Sequence, residues 1–128
     1  MLLDTTFLID LQKELAGRGR SGAMAFLSTH AQETAHITLV TWMEFAEGFP
    51  DEKAELCRAF LRRFRLVAPT RTTAWQASRI SRQLRKAGKS IGDHDIWIAA
   101  TALEHLMPLV TRNTRHFSRV LGLKVVNY

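Results

Sequence analysis

Asp4, Glu44, Asp93 and Asp95 are the acids of this chain best placed for chemistry, because each falls close to where a strand gives way to a helix. Met1-Leu2-Leu3 is a short apolar run that ends at Asp4, and Phe7, Leu8, Leu11 and Leu15 then recur at helical spacing. Glu44 follows the β-branched run His36 to Val40, and Thr41-Trp42-Met43-Glu44 has the form of a capping box. Asp93 and Asp95 stand at the mouth of an alanine-rich apolar helix, where Ala99, Ala100 and Ala102 allow close packing. Asn113 follows a fourth strand-like run, Met107 to Val110, and Thr111 lies at the same edge. Three carboxylates brought together would raise one another's pKa, and a divalent cation removes that cost. Oxygen donors, without a cysteine or histidine cluster, select Mg²⁺ or Mn²⁺ over zinc. Plainer readings stand beside this one. Asp4 and Asn113 serve as helix caps, Glu44 closes the capping box, and Asp93 or Asp95 answers the helix dipole. Spacing leaves both readings open.

The elements that must position these residues alternate in type. A helix is expected over Thr5 to Leu15, then a flexible basic loop, Gly17 to Gly22, and a short helix from Ala23 to His30. After the helix of Glu44, Pro50-Asp51 forms a break, and a further helix runs from about Glu52 to Phe64. Leu66 to Ala68 reads as a strand. Thr72 or Thr73 caps a long helix that ends near Ala87, with Gly88 just beyond it. Asn113 to Val120 is a short helix or turn, and Leu123 to Val126 a last strand. This alternation implies one α/β domain over residues 1–128, a parallel sheet with helices on both faces. Ligands of such sheets bind at the carboxyl edge, where strand order reverses, so acids distant in sequence can meet there.

Composition narrows the class. Of the 128 residues, 46% are hydrophobic and 23% charged, which suits a globular domain. No apolar run approaches the roughly 20 residues of a membrane span, and Met-Leu-Leu-Asp carries no signal pattern. Cys57 is the only cysteine, so no internal disulfide forms. A cytoplasmic protein without a membrane partner is expected. The formal charge of +6, most of the positive charge arginine, makes nucleic acid a candidate partner. Arg18 and Arg20 in the glycine loop, and Arg82, Arg85 and Lys86 with Arg79 and Lys89 around the long helix, are candidates for guiding an RNA backbone. A solvated surface is the plainer reading of that helix face.

Four segments, in order, resemble the PIN-domain family and within it the VapC-type toxins of bacterial toxin–antitoxin modules. They are Met-Leu-Leu-Asp-Thr-Thr-Phe-Leu-Ile-Asp-Leu with Asp4, and Trp-Met-Glu-Phe-Ala-Glu-Gly with Glu44. The third is Ile-Gly-Asp-His-Asp-Ile-Trp-Ile-Ala-Ala-Thr-Ala, with Asp95 in the place of the third acid. The fourth is Leu-Val-Thr-Arg-Asn-Thr-Arg-His-Phe with Val-Leu-Gly-Leu-Lys-Val after it. Asp93 stands where the family often has proline, which leaves it a capping or outer role. Many members have a fourth acid where this chain has Asn113, and several VapC-type sequences also carry asparagine there.

The resemblance implies a PIN-like three-layer sandwich and a Mg²⁺-dependent endoribonuclease. Asp4, Glu44 and Asp95 would hold one or two ions, with Asn113 acting through water and Thr111 in support. It implies structured RNA, tRNA or rRNA, as substrate, cut by water attack to leave a 5′-phosphate and a 3′-hydroxyl. It also implies a homodimer and a cognate VapB-type antitoxin, whose groove Trp42, Phe45, Phe49, Leu56, Phe60 and Phe64 would line unless they are core. Two other classes fit less well. A phosphoryl-accepting receiver domain needs an acid pair beside the first strand and a late lysine, but Asp4 is followed by threonines and residues 111–116 carry no lysine. A binding module with a decayed site has only Asn113 in its favour.

Overall fold

Side-chain alternation along the strands divides the core in two. A computed structural model describes residues 1–128 and contains β1 (Leu2–Leu3), β2 (His36–Thr38), β3 (Arg65–Val67), β4 (Leu109–Val110) and β5 (Val125–Val126). All pairings are parallel, in the order β3-β2-β1-β4-β5. Successive side chains of a strand point to opposite faces. Leu2 and Leu109 therefore join one half of the core, while Leu3 and Val110 join the other.

Helices cover both faces, in three layers. On the side of Leu3 lie α1 (Thr5–Leu15), α2 (Ala23–Thr29), α3 (Leu39–Ala46) and α4 (Ala54–Leu61), which contribute Phe7, Leu8, Phe45 and Phe60. On the side of Leu2 lie α5 (Arg71–Lys86), α6 (Asp93–Glu104) and the short α7 (Thr114–Phe117). Leu2, Leu3, Phe7 and Leu8 are fully buried, each burial contributing about 1.5–3 kcal/mol. Ala99, Ala100 and Ala102 of α6 are buried in one cluster with Ala77, Ile80 and Leu84 of α5, so the small residues seat α6 deep in the fold. No helix is long and apolar enough to cross a membrane.

Several boundaries differ from the sequence reading, and the reason is capping. β2 ends at Thr38, whose hydroxyl accepts from the Thr41 N–H at 3.0 Å, so α3 begins at Leu39. Thr41 is thus buried inside the first turn, and the expected capping box with Glu44 does not form. In α5 the cap is Thr70 rather than Thr72 or Thr73. Its hydroxyl accepts from the Thr73 N–H at 3.2 Å, while the Thr73 hydroxyl accepts from the Thr70 N–H at 2.8 Å. The expected helix from Glu52 to Phe64 is a 3₁₀ turn, Asp51–Lys53, followed by α4.

Candidate active site

β1 lies between β2 and β4, so the strand order reverses between β1 and β4. Asp4 extends β1 there, and Thr111 to Asn113 extend β4; the Asp4 N–H donates to the Val110 carbonyl at 3.0 Å. Asp4 is the N-cap of α1 and also the buried acid of this edge, 4% exposed. Its Oδ1 accepts from the Thr5 N–H at 2.7 Å. Its Oδ2 accepts from the Thr6 hydroxyl at 3.0 Å and the Thr111 hydroxyl at 2.6 Å. Burial pushes the Asp4 carboxyl above the ordinary carboxylate range. The donors Thr111, Thr5 and Thr6 oppose that, and the negative charge of Asp95 adds to it.

Glu44 reaches the same edge from α3, freed from the capping role. The Thr5 hydroxyl, one residue from Asp4, donates to Glu44 Oε2. Glu44 Oε1 lies 2.8 Å from His94 Nδ1, and Asp95 Oδ2 lies 3.4 Å from His116 Nδ1. Both histidines were missed in the sequence. The available signal was weak: His94 separates two candidate acids, and His116 is the third residue after Asn113. Asp93 is the first residue of α6, exposed, and suited to the helix dipole; the cap position belongs to Gly92, so a capping role for Asp93 is corrected. Asn113 occupies the N-cap position of α7 without a side-chain capping bond. Its N–H donates to the Thr111 hydroxyl at 2.9 Å, so Thr111 bridges Asn113 and Asp4.

The three acids converge on one edge without closing on a point. No three His, Cys, Asp or Glu side chains stand in an arrangement that encloses a metal ion. The donor chemistry nevertheless fits a hard divalent cation. All three acids are oxygen donors, and the buried Asp4 feels the charge of Asp95, a repulsion that a cation relieves. A cation placed there would compete with His94 for Glu44 Oε1 and with His116 for Asp95 Oδ2.

The basic candidates divide into two groups. Arg82, Arg85 and Lys86 are exposed on the last turns of α5, separated from the start of α6 only by residues 87–92. α7 adds Arg115 beside His116, and Arg119 follows α7, its guanidinium donating to the Ser90 carbonyl at 3.2 Å. Arg18 lies beyond the other end of the 11-residue α1, about 16 Å along the helix from Asp4. Arg20 sits in the same loop. That loop is anchored at its far side, where the Glu14 carboxylate accepts from the Ser21 hydroxyl at 2.5 Å and the N–H groups of Gly22 at 2.6 Å and Met24 at 2.9 Å. These donors, Ser21 first, hold the Glu14 carboxyl down to about 2.

The PIN domain family model matches residues 1–123. The chain is 33% identical to Ribonuclease VapC1 of Methanocaldococcus jannaschii, over 98% of this chain and 85% of that one. It is 29% identical to the tRNA(fMet)-specific endonuclease VapC of Shigella flexneri, over 72% and 74% of the two chains. VapBC2 of Rickettsia felis, crystallised with a DNA fragment from its promoter, superposes with a TM-score of 0.85 at 22% identity, covering 99% and 97% of the chains. A toxin–antitoxin complex from Klebsiella pneumoniae superposes with a TM-score of 0.74 at 29% identity, covering 98% and 94%. The family match over residues 1–123 and the reversal of strand order at Asp4 agree: this chain belongs to the PIN-domain family, in its VapC branch.

Proposed function

We propose that this protein is the endoribonuclease toxin of a toxin–antitoxin pair, dependent on Mg²⁺ or Mn²⁺. The observation that carries the reading is Asp4. It is a buried carboxylate at the switch point, coupled to Asp95 and one residue from the hydroxyl that holds Glu44. Asp4, Glu44 and Asp95 would hold the cation, with Asn113 reaching it through water. When bound, the ion supplies a water of lowered pKa and counter-charge for the scissile phosphate. The chain itself orients Asp4 through Thr6 and Thr111 and presents Arg82, Arg85 and Lys86 to neighbouring phosphates. Hydrolysis leaves a 5′-phosphate and a 3′-hydroxyl.

Structured RNA, tRNA or rRNA, is the proposed substrate, supported by the tRNA specificity in the name of the Shigella relative. A VapB-type antitoxin is the proposed partner, supported by the Klebsiella complex. Two adjoining apolar clefts, one lined by Leu15, Met24, Leu27 and Phe64 and the other by Leu15, Phe49 and Leu56, would receive it. Phe45 and Phe60 stack at 4.8 Å and belong mainly to the core beneath. The exposed Leu39 and Met43, beside Trp97, offer a face for the proposed homodimer. A cytoplasmic location follows from these proposed partners.

Purified protein incubated with tRNA and rRNA tests the reading. Cleavage is expected with Mg²⁺, none with EDTA, and a loss of about 10³-fold in Asp4→Asn. Full cleavage by Asp4→Asn, or in EDTA, would overturn it.

A further inference from the structure

We propose that Tyr128 and Asp10 are positioning residues of this site, acting through Arg112. The inference rests on the reading of Asp4 as an active-site acid. Arg112 lies between Thr111 and Asn113, in the turn that follows β4. An exposed arginine there would ordinarily serve to bind phosphate. Here the side chain is 46% exposed, yet its guanidinium is held against the protein. Nε lies 3.2 Å from Asp10 Oδ2, and Nη2 donates to the Ser21 carbonyl at 2.5 Å. The guanidinium also stands over the Tyr128 ring, 5.2 Å from its centroid.

Tyr128 completes the assembly from two residues beyond β5. Its hydroxyl donates to the same Asp10 oxygen at 2.9 Å. Its ring meets the fully buried Phe7 edge-on at 4.6 Å. Burial, with the Asp10 carboxylate beside it, raises the phenol well above its ordinary range and keeps it a donor. Asp10 thus accepts from Tyr128, faces the Arg112 guanidinium as an ion pair, and ties the turn to α1, the helix that Asp4 caps.

The consequence falls on the neighbours of Arg112. Its own N–H faces the Thr6 hydroxyl at 3.5 Å. On one side the Thr111 hydroxyl donates to Asp4; on the other the Asn113 N–H donates to Thr111. Holding Arg112 against Asp10 and Tyr128 fixes the turn that places both groups. The side chain works as a latch on the loop rather than as a contact for RNA.

Tyr128→Phe and Asp10→Ala in the intact chain test this. Phe keeps the ring against Phe7 and under Arg112 and removes only the hydroxyl. Amide exchange of the metal-free protein reads the loop directly. In Tyr128→Phe, exchange at Asn113 should quicken about tenfold, the lower end of what a hydrogen bond to a carboxylate is worth. In Asp10→Ala it should quicken further, roughly thirtyfold, since the Arg112 ion pair is lost with that bond. Amides of α6 should not change, and kcat for RNA cleavage should fall in the same order with KM within about twofold. Unchanged exchange at Asn113 in Tyr128→Phe would overturn the latch, and that variant decides the matter if Asp10→Ala does not fold. A loss carried by KM alone would also overturn it, making Arg112 a phosphate contact. Full cleavage by Asp4→Asn would instead remove the nuclease reading, while the exchange result still judged the latch as a structural device.

Discussion

The two sides of the site are built differently. Asp4 takes three donors, two from the first turn of α1 and one from the residue after β4, and is 4% exposed. The side chains of Glu44 and Asp95 are 24% and 22% exposed, and each has a histidine ring across from it. One corner is therefore made as the sheet forms, because β1 and β4 pair through Leu2, Leu3, Leu109 and Val110. The other, the more adjustable, is carried by α3 and α6 on side chains partly open to solvent. A site with every acid held in a cage would bear the full mutual repulsion whenever the cation is away. Fixing one acid and resting the other two on histidines lowers that burden.

Asp4→Asn is the strongest test of the contrast, because its two effects run in opposite directions. Cleavage should fall by about 10³-fold. The metal-free variant should nevertheless melt higher than the wild type at pH 7. The carboxyl of folded Asp4 is raised, chiefly by burial, so the folded state holds this proton more tightly than the unfolded state. Its contribution to stability is complete below the unfolded pKa and is lost as pH rises through the folded one. At neutral pH, above the unfolded pKa, the buried carboxyl opposes folding, and asparagine removes that opposition. Calorimetry across pH should show the wild-type Tm falling over this interval on account of Asp4, with that component missing from the variant. Mg²⁺ should raise the wild-type Tm at pH 7 and leave the variant unmoved. A variant less stable than wild type at pH 7 would mean that the hydrogen bonds of Asp4 outweigh its desolvation.

On the adjustable side, Asp95→Asn and Glu44→Gln should each lower kcat/KM by about 10²-fold, while Asp93→Ala stays within about threefold. The reverse ranking of Asp93 and Asp95 would shift the register of the site by two residues along α6. Thr111→Val tests the fixed side at its edge. Valine leaves Asp4 Oδ2 with the Thr6 hydroxyl alone and the Asn113 N–H without its acceptor. Chemical denaturation should show a loss of about 1–3 kcal/mol. Cleavage should drop about tenfold, a typical cost for removing a group that orients a metal ligand.

The same division decides what could be read from the sequence. Asp4 was legible because a three-residue apolar run and a helical periodicity leave no other place for the junction. The parallel sheet followed from the alternation of elements. The sequence reads β2 two residues too long because Ile37, Thr38 and Val40 are β-branched and Leu39 is apolar, and only the Thr38 hydroxyl reveals that the helix has begun. That detail mattered, since the false capping box gave Glu44 a structural duty it does not have. His94 lies fifty residues from Glu44, and His116 twenty-one from Asp95, so neither pair leaves a local pattern. The Arg112 latch was hidden for the same reason, its partners Asp10, Ser21 and Tyr128 being spread along the chain. Of the aromatic residues expected to line a partner groove, Phe45 and Phe60 are buried, because periodicity in a helix between two layers does not say which side is covered.

The smallest effect belongs to the histidines themselves, and it bears most directly on what the adjustable corner is for. His94 and His116 are 53% and 44% exposed, so solvent weakens their hold on Glu44 and Asp95. Pairs of that kind are worth about 0.2–1 kcal/mol. If each ring only gives its acid a resting partner, His94→Ala and His116→Ala should leave kcat at saturating Mg²⁺ within about threefold, since the acid then faces the same ion as in the wild type. The Mg²⁺ concentration for half-maximal cleavage should fall by up to about fivefold, since the ion no longer competes with the ring. A titration of cleavage against Mg²⁺ separates the two quantities. A collapse of kcat in either variant would show that a ring acts in the chemistry, and that corner would then tolerate change no better than Asp4 does.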